Sequence, residues 1–296
     1  TSSVTSLIAG LLPKNTTAPS ISGSLVDGQM LSANAGEWSG SEPITYKYEW
    51  QLCNALGASC NDLAEGSTLK LIASEVGSTL KLIVTAKNAA GSETATSSVT
   101  SLIAGLLPKN TTAPKVSGSL VDGQLLAANN GEWSGSEPIT YSDQWQLCNS
   151  VGASCANISE ATGSTLKLIS SYVGSTVRLV VTAKNAAGST SETSSVTSVI
   201  AALLPKNVTL PSITGLLKNG STLTALTGEW SGTTPMTFGY QWQLCVAKIC
   251  TNILNATSPT LLVPLDIGDT LRVIVTAKNA AGSVPATSAE TGLITL

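Results

Sequence analysis

Residues 96–110 read TSSVTSLIAGLLPKN; residues 1–15 read the same letter for letter, and residues 193–207 differ from them at two positions. Recurrence at this spacing marks a domain-sized repeat rather than the short unit of a solenoid. Working outward, Gly-Glu-Trp-Ser-Gly returns around Trp38, Trp133 and Trp230, spaced by 95 and 97 residues. Trp-Gln-Leu-Cys returns at Trp50, Trp145 and Trp242, and Val-Thr-Ala-Lys-Asn-Ala-Ala-Gly-Ser at Val84, Val181 and Val275. The implied division is an arm at 1–14, then repeats at 15–107, 108–204 and 205–296.

Within a repeat the pattern is one of short strands. In the first, residues 20–25 follow Pro19, and 29–33 follow the turn Asp27-Gly28. Residues 45–53 alternate, with Tyr46, Tyr48, Trp50 and Leu52 on one face and Lys47, Glu49, Gln51 and Cys53 on the other. Residues 69–72 are a short strand, 79–87 carry Leu80, Leu82 and Val84 at period two, and 99–107 close the unit. Six or seven such strands in one repeat, separated by turn signals, predict a Greek-key sandwich.

Composition agrees. Charged residues are 11% and aromatic residues 4%, while 42% are hydrophobic. A chain this apolar and weakly charged is not disordered. The net charge of −3 provides no basic field for nucleic acid. The longest apolar run, residues 102–107, is far short of a membrane span. With neither an initiator Met nor a leader, the chain is expected to be a mature product or a segment of a longer one.

Pro-x-Ile-x-Gly, Gly-Glu-Trp-Ser-Gly, Tyr-x-Trp-Gln-x-Cys and Val-Thr-Ala-Lys-Asn-Ala-Ala-Gly-Ser together resemble the Ig-like repeats of bacterial cell-surface and secreted proteins. The resemblance covers nearly the whole chain. It implies an all-β fold of three tandem Ig-like Greek-key β-sandwiches, with an extra N-terminal strand, on an extracellular or cell-surface bacterial protein. It does not specify a function, because such sandwiches host many. Antibody-type domains link strands B and F by a disulfide; here those strands offer Leu31 and Val84, and the cysteines fall on the polar face of the Trp50 strand and just past its hairpin.

Those cysteines come as one close pair per repeat: Cys53/Cys60, Cys148/Cys155 and Cys245/Cys250. A local disulfide in each repeat is expected, contributing roughly 2–2.5 kcal/mol of entropic stabilisation and placing the chain in an oxidising compartment. A metal site would need further Cys or His ligands, and the chain has no His. Trp50, Trp145 and Trp242 are expected in the core. Trp38, Trp133 and Trp230, in Gly-Glu-Trp-Ser-Gly turns, are expected to pack over the sandwich end, with sugar contact the alternative. Asp143 stands where the other repeats have Tyr48 and Tyr240, a position expected at the core rim.

Candidate glycosylation sequons start at Asn15, Asn110, Asn157, Asn207, Asn219 and Asn255. Catalysis is not expected. There is no His base and no phosphate loop, and the recurring Glu37, Glu132 and Glu229 are single carboxylates where glycosidase chemistry uses a pair. Lys87, Lys184 and Lys278 should face solvent. No cofactor is expected. The function expected is structural: a rigid repeat array acting as a fibre subunit or cell-surface stalk. The alternatives are adhesin repeats binding glycan or protein, and an accessory module of an exported hydrolase. The expected partner is the chain itself, with a cell-surface or glycan ligand as the alternative.

Two expectations concern the ends. The third repeat, the most divergent, is expected to be terminal. Residues 1–13 duplicate the closing segments of the repeats without a sandwich of their own. Val4, Leu7, Ile8, Leu11 and Leu12 therefore form a candidate assembly strand, belonging to a preceding repeat or completing another subunit by strand addition.

Overall fold

The computed structural model describes residues 9–296, so Val4, Leu7 and Ile8 of the candidate assembly strand lie outside the described residues. The first repeat is built from β1 (Lys14–Thr17), β2 (Ser20–Ser22), β3 (Met30–Asn34), β4 (Glu37–Ser39), β5 (Thr45–Cys53), β6 (Asn61–Glu65), β7 (Thr68–Lys70), β8 (Thr79–Asn88) and β9 (Gly91–Thr96). One sheet runs β6-β5-β8-β9 and a second β2-β3-β7, with β1-β4 as a separate pair. Every strand pair in it is antiparallel. The pairing of β3 with β7 and β5 with β8, across intervening strands, is the Greek-key connection. Elements at the same relative positions recur in the third repeat, with sheets of the same order.

The chain packs as two compact units, and the boundary cuts through the second repeat rather than between repeats. One unit takes the chain up to Ala113 with Asn130–Ser142 and Val181–Glu192; the other takes Pro114–Asn129, Asp143–Val180 and Thr193–Leu296.

The alternation of β5 and β8 does what their sequences require. Trp50 and Leu82 sit in register, and Leu80, Leu82, Val84 and Trp50 are all fully buried. Leu31 and Val84, at the positions of the antibody cysteines, fill the core with plain aliphatic contact. Burying an indole N–H unpaired would cost the stability its rings provide. Each core Trp avoids this: Nε1 donates to the Gly66 carbonyl at 2.8 Å, and its twins Trp145 and Trp242 donate to Gly163 and Ser258, each at 2.9 Å.

Several strand expectations need correction. Gly-Glu-Trp-Ser-Gly is not a turn: Glu37–Ser39 is a strand paired with Lys14–Thr17. Its flanking glycines make it look like a turn, and both are there for close approach. A Cβ on Gly36 (φ 75°) would lie 2.0 Å from the Thr17 carbonyl oxygen, and one on Gly40 (φ 147°) 2.9 Å from that of Leu12. The last strand of the sheet is the polar Gly91–Thr96, not residues 99–107. Residues 97–107 leave the ladder because side-chain hydroxyls occupy it: Ser97 Oγ and Thr100 Oγ1 accept from the amides of Leu82 and Leu80 at 2.9 Å. The segment then crosses to a single parallel bridge, Val26 with Ala104, and plugs the core with Ile103, 1% exposed. Tyr46 is exposed, so the apolar face of β5 reaches solvent at its start. Cys53, placed on the polar face, is buried, because the 54–60 loop folds back over the end of β5: Thr79 Oγ1 donates to the Asn54 carbonyl at 2.9 Å. The described end of the N-terminal arm, Leu11 and Leu12, belongs to no strand.

Replacing Trp50 with Ala removes the largest core side chain and orphans the Gly66 carbonyl. Denaturant unfolding of Trp50→Ala is expected to show a loss of about 3–5 kcal/mol from the first repeat; a loss under about 1 kcal/mol would contradict this core.

Candidate functional site, the junction between repeats

The recurring glutamates and all six cysteines singled out in the sequence have partners. Glu37, Glu132 and Glu229 each accept a hydroxyl proton from a threonine across the β1-type pair, Thr17, Thr112 and Thr209, at 2.8–2.9 Å. Lys87, Lys184 and Lys278 are exposed. The cysteines form three disulfides, Cys53–Cys60, Cys148–Cys155 and Cys245–Cys250. In the third repeat the bridge spans a two-residue turn, with Cys245 opposite Cys250 and both Ala247 and Lys248 at positive φ, 50° and 69°. Trp38 packs on the first core, donates from Nε1 to the Ala35 carbonyl at 2.8 Å, and tilts against Tyr46 with ring centroids 6.3 Å apart. Trp133 and Trp230 repeat both contacts with Asn130 and Tyr141, and with Thr227 and Phe238.

The sequons divide into two kinds. Asn15, Asn110 and Asn207 do not hang in linkers: each sits in a β1-type strand, its amide nitrogen donating to two backbone carbonyls across a bulge, at 2.8–3.3 Å. Asn157, Asn219 and Asn255 are exposed.

The densest polar construction lies where one repeat follows another. In the first compact unit, Leu106, in the segment leaving repeat 1, exchanges bonds with Ser136 of repeat 2. Leu106 N donates to Ser136 Oγ at 2.8 Å, and Ser136 N donates to the Leu106 carbonyl at 3.0 Å. The amide of Asn185 donates to the carbonyls of both Leu106 and Ser136 at 2.7 Å. Its own Oδ1 accepts from Ala187 N, which fixes the amide's orientation. Ser136 Oγ then donates to Asp27 Oδ2, back in repeat 1, at 2.6 Å. That is a short, charge-assisted bond. Packing is equally close: a Cβ on Gly105 would come within 3.0 Å of Val76 Cγ1 and 3.1 Å of Ala187 Cβ.

The second compact unit builds the same junction again. Leu203 N donates to Thr233 Oγ1 at 2.7 Å, and Asn279 donates to the carbonyls of Leu203 and Thr233 at 2.7 and 2.8 Å. Thr233 Oγ1 donates to Asp122 Oδ2 at 2.7 Å, and Ser170 Oγ adds a second donor to that oxygen at 2.8 Å. Ser136 and Thr233 are each 2% exposed and Asp122 8%. Every polar group buried here has a partner, as a low-dielectric site requires.

The sequence did not single out these residues. Asp27 read only as a turn residue and Asn88, Asn185 and Asn279 only as neighbours of a strand lysine. The available signal was their recurrence: a small hydroxyl residue thirty positions after a Leu-Leu-Pro leucine, and an invariant Asn at each β8-type strand end.

Asp143 is a separate case. Its Oδ1 is buried and accepts no hydrogen bond from the described residues, and desolvation raises its pKa from the ordinary carboxylate value. The twins Tyr48 and Tyr240 pack on their cores.

No protein-family description matches the chain, and no curated protein does. Among solved structures, it is similar to domains A168–A170 of titin (14% identity, 97% of this chain and 98% of that one, TM-score 0.27). It is also similar to extracellular domains 3–5 of Drosophila OTK (16%, 93% and 95%, TM-score 0.30). A third is the three N-terminal domains of the bacteriophage RB49 highly immunogenic outer capsid protein (13%, 95% and 99%, TM-score 0.26). At these scores the fold rests on the sheets described above.

Because the folded-state pKa of Asp143 is raised, the second repeat is most stable with that carboxyl neutral. Stability should fall as pH rises from the ordinary carboxylate value through the raised one, and level off above it. Asp143→Asn should abolish that slope, and Asp143→Tyr should stabilise the repeat by about 1–3 kcal/mol at neutral pH. Denaturant unfolding across the acid range checks both; an unchanged slope in Asp143→Asn would refute the assignment.

Proposed function

We propose that this chain is a non-catalytic structural segment of an exported protein: an array of Ig-like sandwiches serving as a cell-surface stalk or fibre subunit, with growth through its N-terminal arm. The observation that carries this reading is the duplicated junction. A flexible linker would leave the backbone between repeats solvated, whereas here the departing leucine is bonded on both its N–H and C=O by the next repeat, twice over. Three disulfides with no free cysteine fit an oxidising compartment. The recurring carboxylates are engaged in β1-type pairs, which fits the non-catalytic reading.

An adhesin is favoured by one feature. The disulfide loops of the first two repeats end in exposed apolar tips, Leu56 at 91% and Val151 at 83% exposure. Leu56→Asp would then abolish binding to the adhesin's ligand without touching the array.

Site-specific spin labels at the exposed Lys70 and Lys184, both in the first compact unit, test the structural reading. A single narrow distance distribution is expected, widening when Asp27→Ala and Ser136→Ala are combined. A broad distribution in the unaltered chain would overturn the reading.

A further inference from the structure

The first repeat carries the receiving half of a junction, and among the described residues no turn carboxylate lies on it. Its leading face is assembled bond for bond like those of the later repeats. Leu11 N donates to Ser41 Oγ at 2.8 Å, Ser41 N to the Leu11 carbonyl at 3.0 Å, and Asn88 to the Leu11 and Ser41 carbonyls at 2.7 and 2.8 Å. Only the last component is missing. The Ser136 and Thr233 hydroxyls donate to Asp27 and Asp122, but among the described residues the Ser41 hydroxyl reaches no carboxylate. Ser136 and Thr233 are each 2% exposed, whereas Ser41 is only half-buried.

On the third repeat the giving half is exposed among the described residues. Asn219 occupies the turn position of Asp27 and Asp122, and its backbone is held identically. Asn219 N donates to the Thr295 carbonyl at 3.0 Å, as Asp27 N does to Ala104 and Asp122 N to Ala201 at 2.9 Å. Its side chain is exposed, and Ile267, at the sequence position of Val76, is 49% exposed. An Asn carbonyl oxygen can accept the hydroxyl proton that Asp takes in the internal junctions, though without the charge that strengthens the bond.

We propose that these two faces meet between molecules: the Ser41 face of one copy of this chain docks on the Asn219 turn of another, repeating the internal junction. A contact between different patches that does not close on itself propagates. The occupant is set by precedent within the chain, since what covers this face at its two internal counterparts is the trailing turn of a neighbouring repeat. The neutral Asn in place of Asp makes the contact weaker than its internal models, so association is reversible and concentration-dependent. This rests on the structural reading above and names the surface by which the array extends.

Sedimentation of the full chain over a wide concentration range is the test. Self-association is expected, weakened about tenfold by Ser41→Ala and strengthened about tenfold by Asn219→Asp, which restores the charge-assisted acceptor. Asn219→Asp installs the residue its twins already carry, so folding is not in question for that variant. Sedimentation as a monomer throughout, even for Asn219→Asp, would overturn the proposal, as would association indifferent to both substitutions. Monomer throughout would also remove the fibre-subunit part of the proposed function, but neither result would touch the rigidity of the array within a single chain, which the spin-label distances judge.

Discussion

One leucine backbone unit per junction carries the connection between repeats. A chain leaving a sandwich normally exposes its N–H and C=O to water, and that hydration is what lets a linker bend. Here Leu106 and Leu203 give both groups to the next repeat, through a hydroxyl residue and an asparagine amide. The hydroxyl then spends its proton on an aspartate of the repeat just left. Each group satisfies the next, so removing any one leaves a buried polar atom unpaired. This coupling agrees with a compact-unit boundary that passes through the second repeat and not along the repeat borders.

The junction also explains features that look unrelated in the sequence. Gly40, Gly135 and Gly232 allow the leucine-proline segment to pass over the strand end: a Cβ on each would lie 2.6–2.9 Å from a Leu12, Leu107 or Leu204 carbonyl oxygen. The closing segment leaves its sheet and runs on to the junction. Ser97 and Thr100 let it leave by substituting hydroxyls for ladder carbonyls, while Ile103 keeps the core sealed as it goes.

Much of this fold was legible in the amino-acid order. The alternation at Thr45–Cys53 and Thr79–Asn88 located the central pair, because a strand half-buried between core and solvent has no other pattern. Trp50 and the cysteine pairs followed from it. Less legible were strands whose burial is slight. Glu37–Ser39 is three residues between glycines, and Gly91–Thr96 has no apolar side chain larger than that of Ala95, so neither carries a periodic signal. The junction was hidden for a different reason: its groups are a turn aspartate, a loop serine and a strand-end asparagine, ordinary singly and meaningful only when folding brings them within 3 Å. Comparing repeats supplies the missing signal, since Asp27 and Asp122 recur at one turn position and Ser136 and Thr233 at another.

The central claim is that Asp27 and Ser136 act on each other across the repeat border. A double-mutant cycle measures this directly: denaturant unfolding of the unaltered chain, Asp27→Ala, Ser136→Ala and the double variant. The junction predicts a coupling of about 1 kcal/mol or more between two residues 109 positions apart. Additivity within about 0.3 kcal/mol would contradict it, and would leave the repeats as neighbours by sequence alone.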